Sequence, residues 1–195
     1  MKQYYDARAA EYDDWWLGEG LHATRHRPGW HAAAAELCAA VAALPPRRTL
    51  DVACGTGFLT QHLRGEVTAL DQSSSMLERA RDRLPGAELV QEDALPLPFP
   101  DGLFERVFTS FFYGHLEDDD REEFLREARR LAPELVVVDS ALHEDVVPER
   151  TEERILKDGS RWEVYKRYFR AGELAAELGG GEVLFSERWF VMVRA

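Results

Sequence analysis

The sequence predicts an α/β fold in which a doubly wound sheet carries helices on both faces, and three observations lead there. Between Thr49 and Ser140 short apolar runs alternate with helical stretches, the pattern of strand–helix–strand units. The run Leu135 to Val138 is apolar without alternation, as in a strand covered on both faces of a parallel sheet. Acids and glycines close several of the runs, and ligands of such sheets sit beyond the carboxyl ends of the strands.

Residues 1–45 read as a helical preface. Its second half, Gly29 to Leu44, is rich in alanine, places Trp30, Leu37, Val41 and Leu44 at helical spacing, and stops at Pro45-Pro46 because proline cannot continue a helix. Thr49 to Ala53 is then a strand, Gly55 and Gly57 a turn, and Phe58 to Arg64 a helix. Val67 to Leu70 forms a second strand. Ser74 or Ser75 can cap a helix through Leu84, which Pro85-Gly86 ends. Further strands are expected at Glu88 to Gln91, Arg106 to Phe112 and Leu135 to Val138. The helix Asp119 to Leu131 between the last two opens with acids that suit the positive end of its dipole.

The C-terminal part has a different texture. Glu173 to Leu178 reads as a short helix, Gly179-Gly180-Gly181 as a turn, and Val183 to Phe185 with Trp189 to Val193 as a closing antiparallel pair. Leu142 to Arg170 does not fit the alternation, although Arg161 to Tyr168 is patterned like a strand with Trp162, Val164 and Lys166 on one side. The whole is read as one domain over residues 1–195, with a helical cap (1–45), a cofactor-binding core (46–140) and a sheet-completing, substrate-side segment (141–195).

Composition removes several classes. A chain of 195 residues with 45% hydrophobic residues can bury a substantial core without staples. The two cysteines, Cys38 and Cys54, are too few for a disulfide framework and lack metal-ligand spacing, so they are expected to be reduced thiols in a cytoplasmic protein. The apolar stretch Ala32 to Leu44 contains Glu36 and falls short of the ~20 residues of a membrane span. The N-terminus opens into a charged amphipathic pattern unlike a signal peptide. A formal charge of −12 repels polyphosphate, so neither membrane nor nucleic acid is an expected partner. The acids Glu117 to Asp120 read as the start of a helix and not as a metal site. The sequence sets no oligomeric state.

The strongest chemical signal is Asp51-Val52-Ala53-Cys54-Gly55-Thr56-Gly57 at the end of the first strand, where glycines let the backbone approach a ligand closely. A dinucleotide motif would carry a third glycine, but Thr60 stands there, so no pyrophosphate cradle is implied. Asp71 ends the second strand, where a carboxylate can accept both ribose hydroxyls. Glu92-Asp93-Ala94 ends the third, where a carboxylate can accept from an exocyclic amine while the Ala94 N–H donates to a ring nitrogen. Three strand ends would then line one nucleoside.

These residues resemble the class I S-adenosylmethionine-dependent methyltransferases of small molecules. The resemblance covers most of the chain and rests on Leu50 to Gly57, Asp71-Gln72-Ser73-Ser74-Ser75-Met76-Leu77, Glu92-Asp93-Ala94, Leu97-Pro98-Phe99-Pro100-Asp101, and the opening Tyr4-Tyr5-Asp6 with Tyr12-Asp13. It implies a Rossmann-like, mostly parallel seven-stranded sheet of order 3-2-1-4-5-7-6 with an antiparallel last strand. It also implies S-adenosyl-L-methionine as cofactor. The tail would be held by Asp51, Ala53, Gly55, Thr56 and Gly57, the ribose by Asp71, an adenine face by Met76 and the adenine edge by Asp93 and Ala94. Tyr5 or Tyr12 would close over the cofactor, and Gln72 and Ser110 complete the binding set. The chain departs from the family after the proline-spaced segment, where Phe104 precedes Glu105.

A sulfonium needs no phosphate site, and aromatic faces and carbonyl oxygens stabilise it; Tyr4, Tyr5, Tyr12, Phe111, Phe112 and Tyr113 are available. Transfer of its methyl group asks mainly for orientation and exclusion of water. At the end of the fourth strand His115 can take a proton from an oxygen or nitrogen acceptor. The segment lacks the Asn/Asp-Pro-Pro-Tyr/Phe grip and the nucleophilic cysteine used on nucleic-acid bases, so base methylation is not expected, and the resemblance implies a small-molecule acceptor. Arg25-His26-Arg27 and Lys166-Arg167 with Arg170 read as ordinary charged surface or as attractors of an anionic substrate. A protein that binds the cofactor without chemistry and an NAD-dependent oxidoreductase are the competing expectations.

Overall fold

The computed structural model describes all 195 residues. Helices α1 (Lys2–Arg8), α2 (Asp14–Leu17) and α3 (Trp30–Ala43) form the preface. The core follows as β1 (Thr49–Val52), β2 (Val67–Leu70), α4 (Ser74–Arg83), β3 (Glu88–Val90), β4 (Arg106–Ser110), α5 (Asp118–Leu131) and β5 (Glu134–Ser140). The chain then forms β6 (Glu149–Ile155), β7 (Arg161–Arg167), α6 (Ala171–Glu177), β8 (Glu182–Ser186) and β9 (Phe190–Arg194).

Seven strands form one sheet in the order β3-β2-β1-β4-β5-β9-β8, and β6 with β7 form a separate two-stranded sheet. The ladders from β3 to β5 are parallel, whereas β9 runs antiparallel to both β5 and β8. This is the sheet the resemblance implies, once the extra hairpin is set aside. Side chains alternate across it. Phe108, Val136, Val138 and Met192 pack under α3, while Val107, Val137 and Val193 pack on the other face with Phe124 and Leu131 of α5 and Leu174 of α6. Ala69 receives Leu77 and Ala80 of α4. No helix is long and apolar enough to cross a membrane.

Three expectations are corrected. The stretch Phe58 to Arg64 is not a helix but one 3-10 turn at Thr60–His62. There Phe58 stacks on Trp16 with ring centroids 4.4 Å apart, Leu59 and Leu63 join the cluster under α3, and the Thr60 hydroxyl is held by Asp51 at 2.5 Å. These tertiary ties fix single residues and override a weak local helical preference. The first and fourth strands are shorter than expected because Ala53 (φ 59°) and Phe111 (φ 54°) turn left-handed, which ends an extended chain. Finally, the stretch the sequence left unplaced is the β6–β7 hairpin, whose Val164 packs with Leu156 against Tyr4 of α1.

Candidate active site

The site lies where the strand order reverses, between β1 with its neighbour β2 and β4 on the other side, the place at which doubly wound sheets bind ligands. Two non-glycine residues with positive φ stand there, Ala53 just after β1 and Phe111 just after β4. Such conformations cost of order 1–3 kcal/mol and persist where the surroundings over-determine them. Both residues line a cavity of about 250 Å³ at these strand ends.

The cavity gathers most of the residues singled out in the sequence. Tyr5, Tyr12, Ala53, Gly55, Asp71, Gln72, Asp93, Ala94, Ser110 and His115 all line it. Four do not. Thr56 is a latch: its hydroxyl donates to Asp13 at 2.6 Å, and Arg83 binds the same Asp13 at 2.7 Å and the Thr56 carbonyl at 2.8 Å. Gly57 (φ 76°) is needed for close packing, since a Cβ there would lie 2.8 Å from Leu84. Met76 is fully buried in α4. Asp51 sits beneath the turn, fully buried, with Oδ2 bound to Thr60 and Oδ1 without a partner. Burial pushes its carboxyl up to about 8.

Asp71 is fixed by two backbone donors, the Gly55 N–H at 2.9 Å on one oxygen and the Ser73 N–H at 2.8 Å on the other. Burial raises its pKa while these two bonds oppose the shift. Each carboxylate oxygen keeps a lone pair for a further donor. The Tyr12 ring lies over Gly55, 3.5 Å from where a Cβ would stand, in van der Waals contact. Desolvation pushes the Tyr12 phenol up to about 12 and raises that of Tyr5 further, so both stay neutral donors.

On the opposite wall, the 3-10 turn Tyr113–His115 delivers His115. Its Nδ1 is 2.6 Å from the Tyr165 carbonyl of β7. A carbonyl only accepts, so this contact places the ring proton on Nδ1 and leaves Nε2 with its lone pair. Burial, reinforced by the charges of Lys166 and Arg154, holds the imidazole pKa well below its usual value. The turn is anchored in turn by Asp139 at the end of β5, which accepts from the Gly114 N–H at 2.7 Å and pairs with the buried Lys166. Sequence reasoning missed Asp139 as a support. The available signal was an acid closing a strand, as Asp71 does. Leu70, Leu95, Leu116, Met1 and Asp120 also line the cavity, and nothing in the sequence distinguished them from other apolar or surface positions.

Comparison with known proteins identifies the fold's relatives. Residues 49–134 match the family model described as a methyltransferase domain. The DhpI–SAH complex superposes with a TM-score of 0.73 at 30% identity, covering 98% of this chain and 92% of that one. The chain belongs to the class I S-adenosylmethionine-dependent methyltransferases. The DhpI–SAM–HEP complex is similar in the same way, at TM-score 0.76 and 30% identity over 98% of this chain and 94% of that one. Among curated relatives, the demethylmenaquinone methyltransferase of Thermotoga maritima is 41% identical over 91 residues, 44% of this chain and 39% of the relative. The ubiquinone/menaquinone biosynthesis C-methyltransferase of Pseudomonas fluorescens is 36% identical over 143 residues, 67% of this chain and 53% of the relative. The chain thus spans between about two fifths and about half of these curated relatives' lengths. The matched regions include the β1 turn, Asp71 and Asp93 through the family model.

Proposed function

We propose that the protein transfers a methyl group from S-adenosylmethionine to a small acceptor, with His115 as general base. The carrying observation is the convergence on one covered cavity of a twice-anchored ribose carboxylate, a glycine turn and a neutral histidine with a free Nε2. The residues suit the cofactor. The unpartnered Asp51 Oδ1 beneath the turn offers an acceptor near an amino-acid tail. A side chain at Gly55 would fill the gap below Tyr12. No lysine or arginine lines the cavity, which favours a sulfonium over a pyrophosphate. That last point, with Thr60 tied to Asp51 in place of a third glycine, disfavours a dinucleotide.

When bound, S-adenosylmethionine supplies a methyl group on a positively charged sulfur, an electrophile whose leaving group is a neutral thioether. Asp71 and Gln72 hold the ribose, Asp93 and Ala94 the adenine edge, and the backbone from Ala53 to Gly55 the tail. Tyr5 and Tyr12 exclude water. The His115 Nε2 accepts the proton of an acceptor hydroxyl or amine, and the Tyr165 carbonyl steadies the resulting imidazolium through Nδ1–H. The test is incorporation of labelled methyl from S-adenosylmethionine into a pool of small metabolites. Transfer that drops by about 10²–10⁴-fold in His115→Ala, with cofactor affinity preserved, supports the reading. Cofactor binding without transfer to any acceptor would make the chain a binding protein instead.

A further inference from the structure

The turn that carries His115 is tied residue by residue to one strand. Tyr113, Gly114 and His115 connect, in reverse order, to Arg167, Lys166 and Tyr165 of β7. The Tyr165 carbonyl meets the His115 Nδ1 at 2.6 Å. Lys166 pairs with Asp139, which accepts from the Gly114 N–H at 2.7 Å. Arg167 donates to Glu177 of α6 at 2.8 Å, and the second Glu177 oxygen accepts from the Tyr113 hydroxyl at 2.7 Å. Burial first, and then the Glu177 carboxylate, raise the Tyr113 phenol pKa, which keeps it a donor. Arg121 of α5, also buried, donates to the Leu116 carbonyl at 2.5 Å and brings its Nε to 3.5 Å from Glu177.

The turn does not need these ties to close. Its own backbone closes it, with the His115 N–H on the Phe112 carbonyl at 2.8 Å and the Leu116 N–H on that of Tyr113 at 3.2 Å. What the ties fix is where the closed turn sits against β5 and β7. That placement keeps a buried Asp139–Lys166 pair out of water, which costs more than packed apolar side chains would. Space is set as closely. A Cβ on Gly114 would stand 2.7 Å from the Arg167 carbonyl and 2.9 Å from the Lys166 Nζ, so only glycine lets β7 come this near. We infer that Lys166 and Arg167 are positioning residues for His115: acting through Asp139 and Glu177, they hold the turn so that Nδ1 stays on the Tyr165 carbonyl and Nε2 stays free for the acceptor. The β6–β7 hairpin, which lies outside the seven-stranded sheet, then assembles the base as well as covering the site. The charged groups facing the imidazole are Lys166 of β7, Arg154 of β6 and Arg8 of α1. Asp71, Asp93 and Asp120 line its cavity with the phenols of Tyr5 and Tyr12, and Asp139 and Glu152 offset Lys166.

The inference rests on the reading of His115 as the base, and the experiment needs no acceptor. Nitrogen NMR of the imidazoles in isotope-labelled protein saturated with S-adenosylhomocysteine reports the His115 tautomer and its protonation midpoint. The unsubstituted protein should show one neutral tautomer, protonated at Nδ1, from pH 8 down to 6.5. Lys166→Gln and Arg167→Gln should replace it by exchange between two tautomers, and Lys166→Gln should raise the midpoint by about one pH unit or more as the neighbouring charge is lost. Gly114→Ala should mix the tautomers without changing any charge. Arg161→Gln, at the far end of β7, should change neither. Retained S-adenosylhomocysteine affinity shows that a variant folds, and where a charge variant does not, Glu177→Gln reads the same tie. A mixed or Nε2-protonated His115 in the unsubstituted protein overturns the inference without any variant. So does a tautomer and midpoint indifferent to Lys166→Gln and Arg167→Gln. Variants that keep the tautomer and lose S-adenosylhomocysteine also overturn it, since β7 would then serve the cofactor. Methyl transfer unaffected by His115→Ala would defeat the base reading alone.

Discussion

His115 shows how one hydrogen bond decides a chemical role. With Nδ1–H committed to the Tyr165 carbonyl, and with burial holding its pKa well below 6.5, the ring is a ready base at neutral pH. A histidine whose folded pKa is depressed stays neutral until the pH falls through that lowered value. Turnover should therefore be level from pH 8 down through 6.5, without the inflection of an ordinary histidine, in a pH–rate profile measured at saturating cofactor. Asp51 has the opposite displacement. Its folded pKa, about 8, lies above its unfolded value, so the folded state binds the extra proton. The associated stability is full below the unfolded pKa and is lost as pH rises toward 8. Asp51→Asn should remove this component, worth at most about 1.4 kcal/mol per pH unit, so that urea unfolding of the variant varies less between pH 4.5 and 8 than that of the parent.

At the scale of elements, the strands and the turns that end them were legible because composition and local backbone chemistry fix them. The first strand could be read from Thr49 to within one residue of its end, which the left-handed Ala53 sets at Val52, and the acid Asp71 could be read directly. Two kinds of element could not. The turn at Thr60 follows from side-chain ties to Asp51 and Trp16, both distant in sequence, which no window of helical spacing contains. The hairpin β6–β7 is patterned by what it covers: Val164 and Lys166 are buried while Glu149, Thr151 and Glu153 are exposed, and only the second strand shows enough alternation to be seen. Likewise Thr56, read as a cofactor contact, is a latch to Asp13. Ser73 joins two elements at once. It, and not Ser74 or Ser75 as the sequence suggests, caps α4 by accepting from the Met76 N–H at 3.2 Å, and it donates to Asp6 of α1 at 2.6 Å. Ser73→Ala should lower stability by about 1–2 kcal/mol in denaturant unfolding. It should also raise KM for S-adenosylmethionine, because α1 carries Tyr5, which lines the site, and leads to Tyr12.

Across the whole molecule, the sheet with the helices packed on it is a rigid floor, and α1 with the hairpin is a cover tied to it largely by polar links. The sheet and four of the helices, α2, α3, α5 and α6, share two large apolar clusters. The cover at α1 instead packs through a small cluster of Tyr4, Leu156 and Val164, together with the Asp6, Asp13 and Tyr165 hydrogen bonds. Segments with few buried apolar contacts open at lower free energy than the core. Hydrogen exchange should therefore be faster in residues 1–12 and 149–167 than in β1, β4 and β5, and S-adenosylhomocysteine should slow it selectively in the former. Uniform protection over the whole chain would mean that the cover is not a separate unit.

The central claim is that Asp71, positioned by Gly55 and Ser73, holds a sulfur nucleoside at the ends of β1 to β4. Calorimetric titration of S-adenosylhomocysteine into the protein and its Asp71→Ala variant tests this directly. The account predicts saturable one-site binding that weakens by about a hundredfold or more when two hydrogen bonds to a carboxylate are removed. Equal affinity in the two proteins, or no heat in either at high protein concentration, would contradict it.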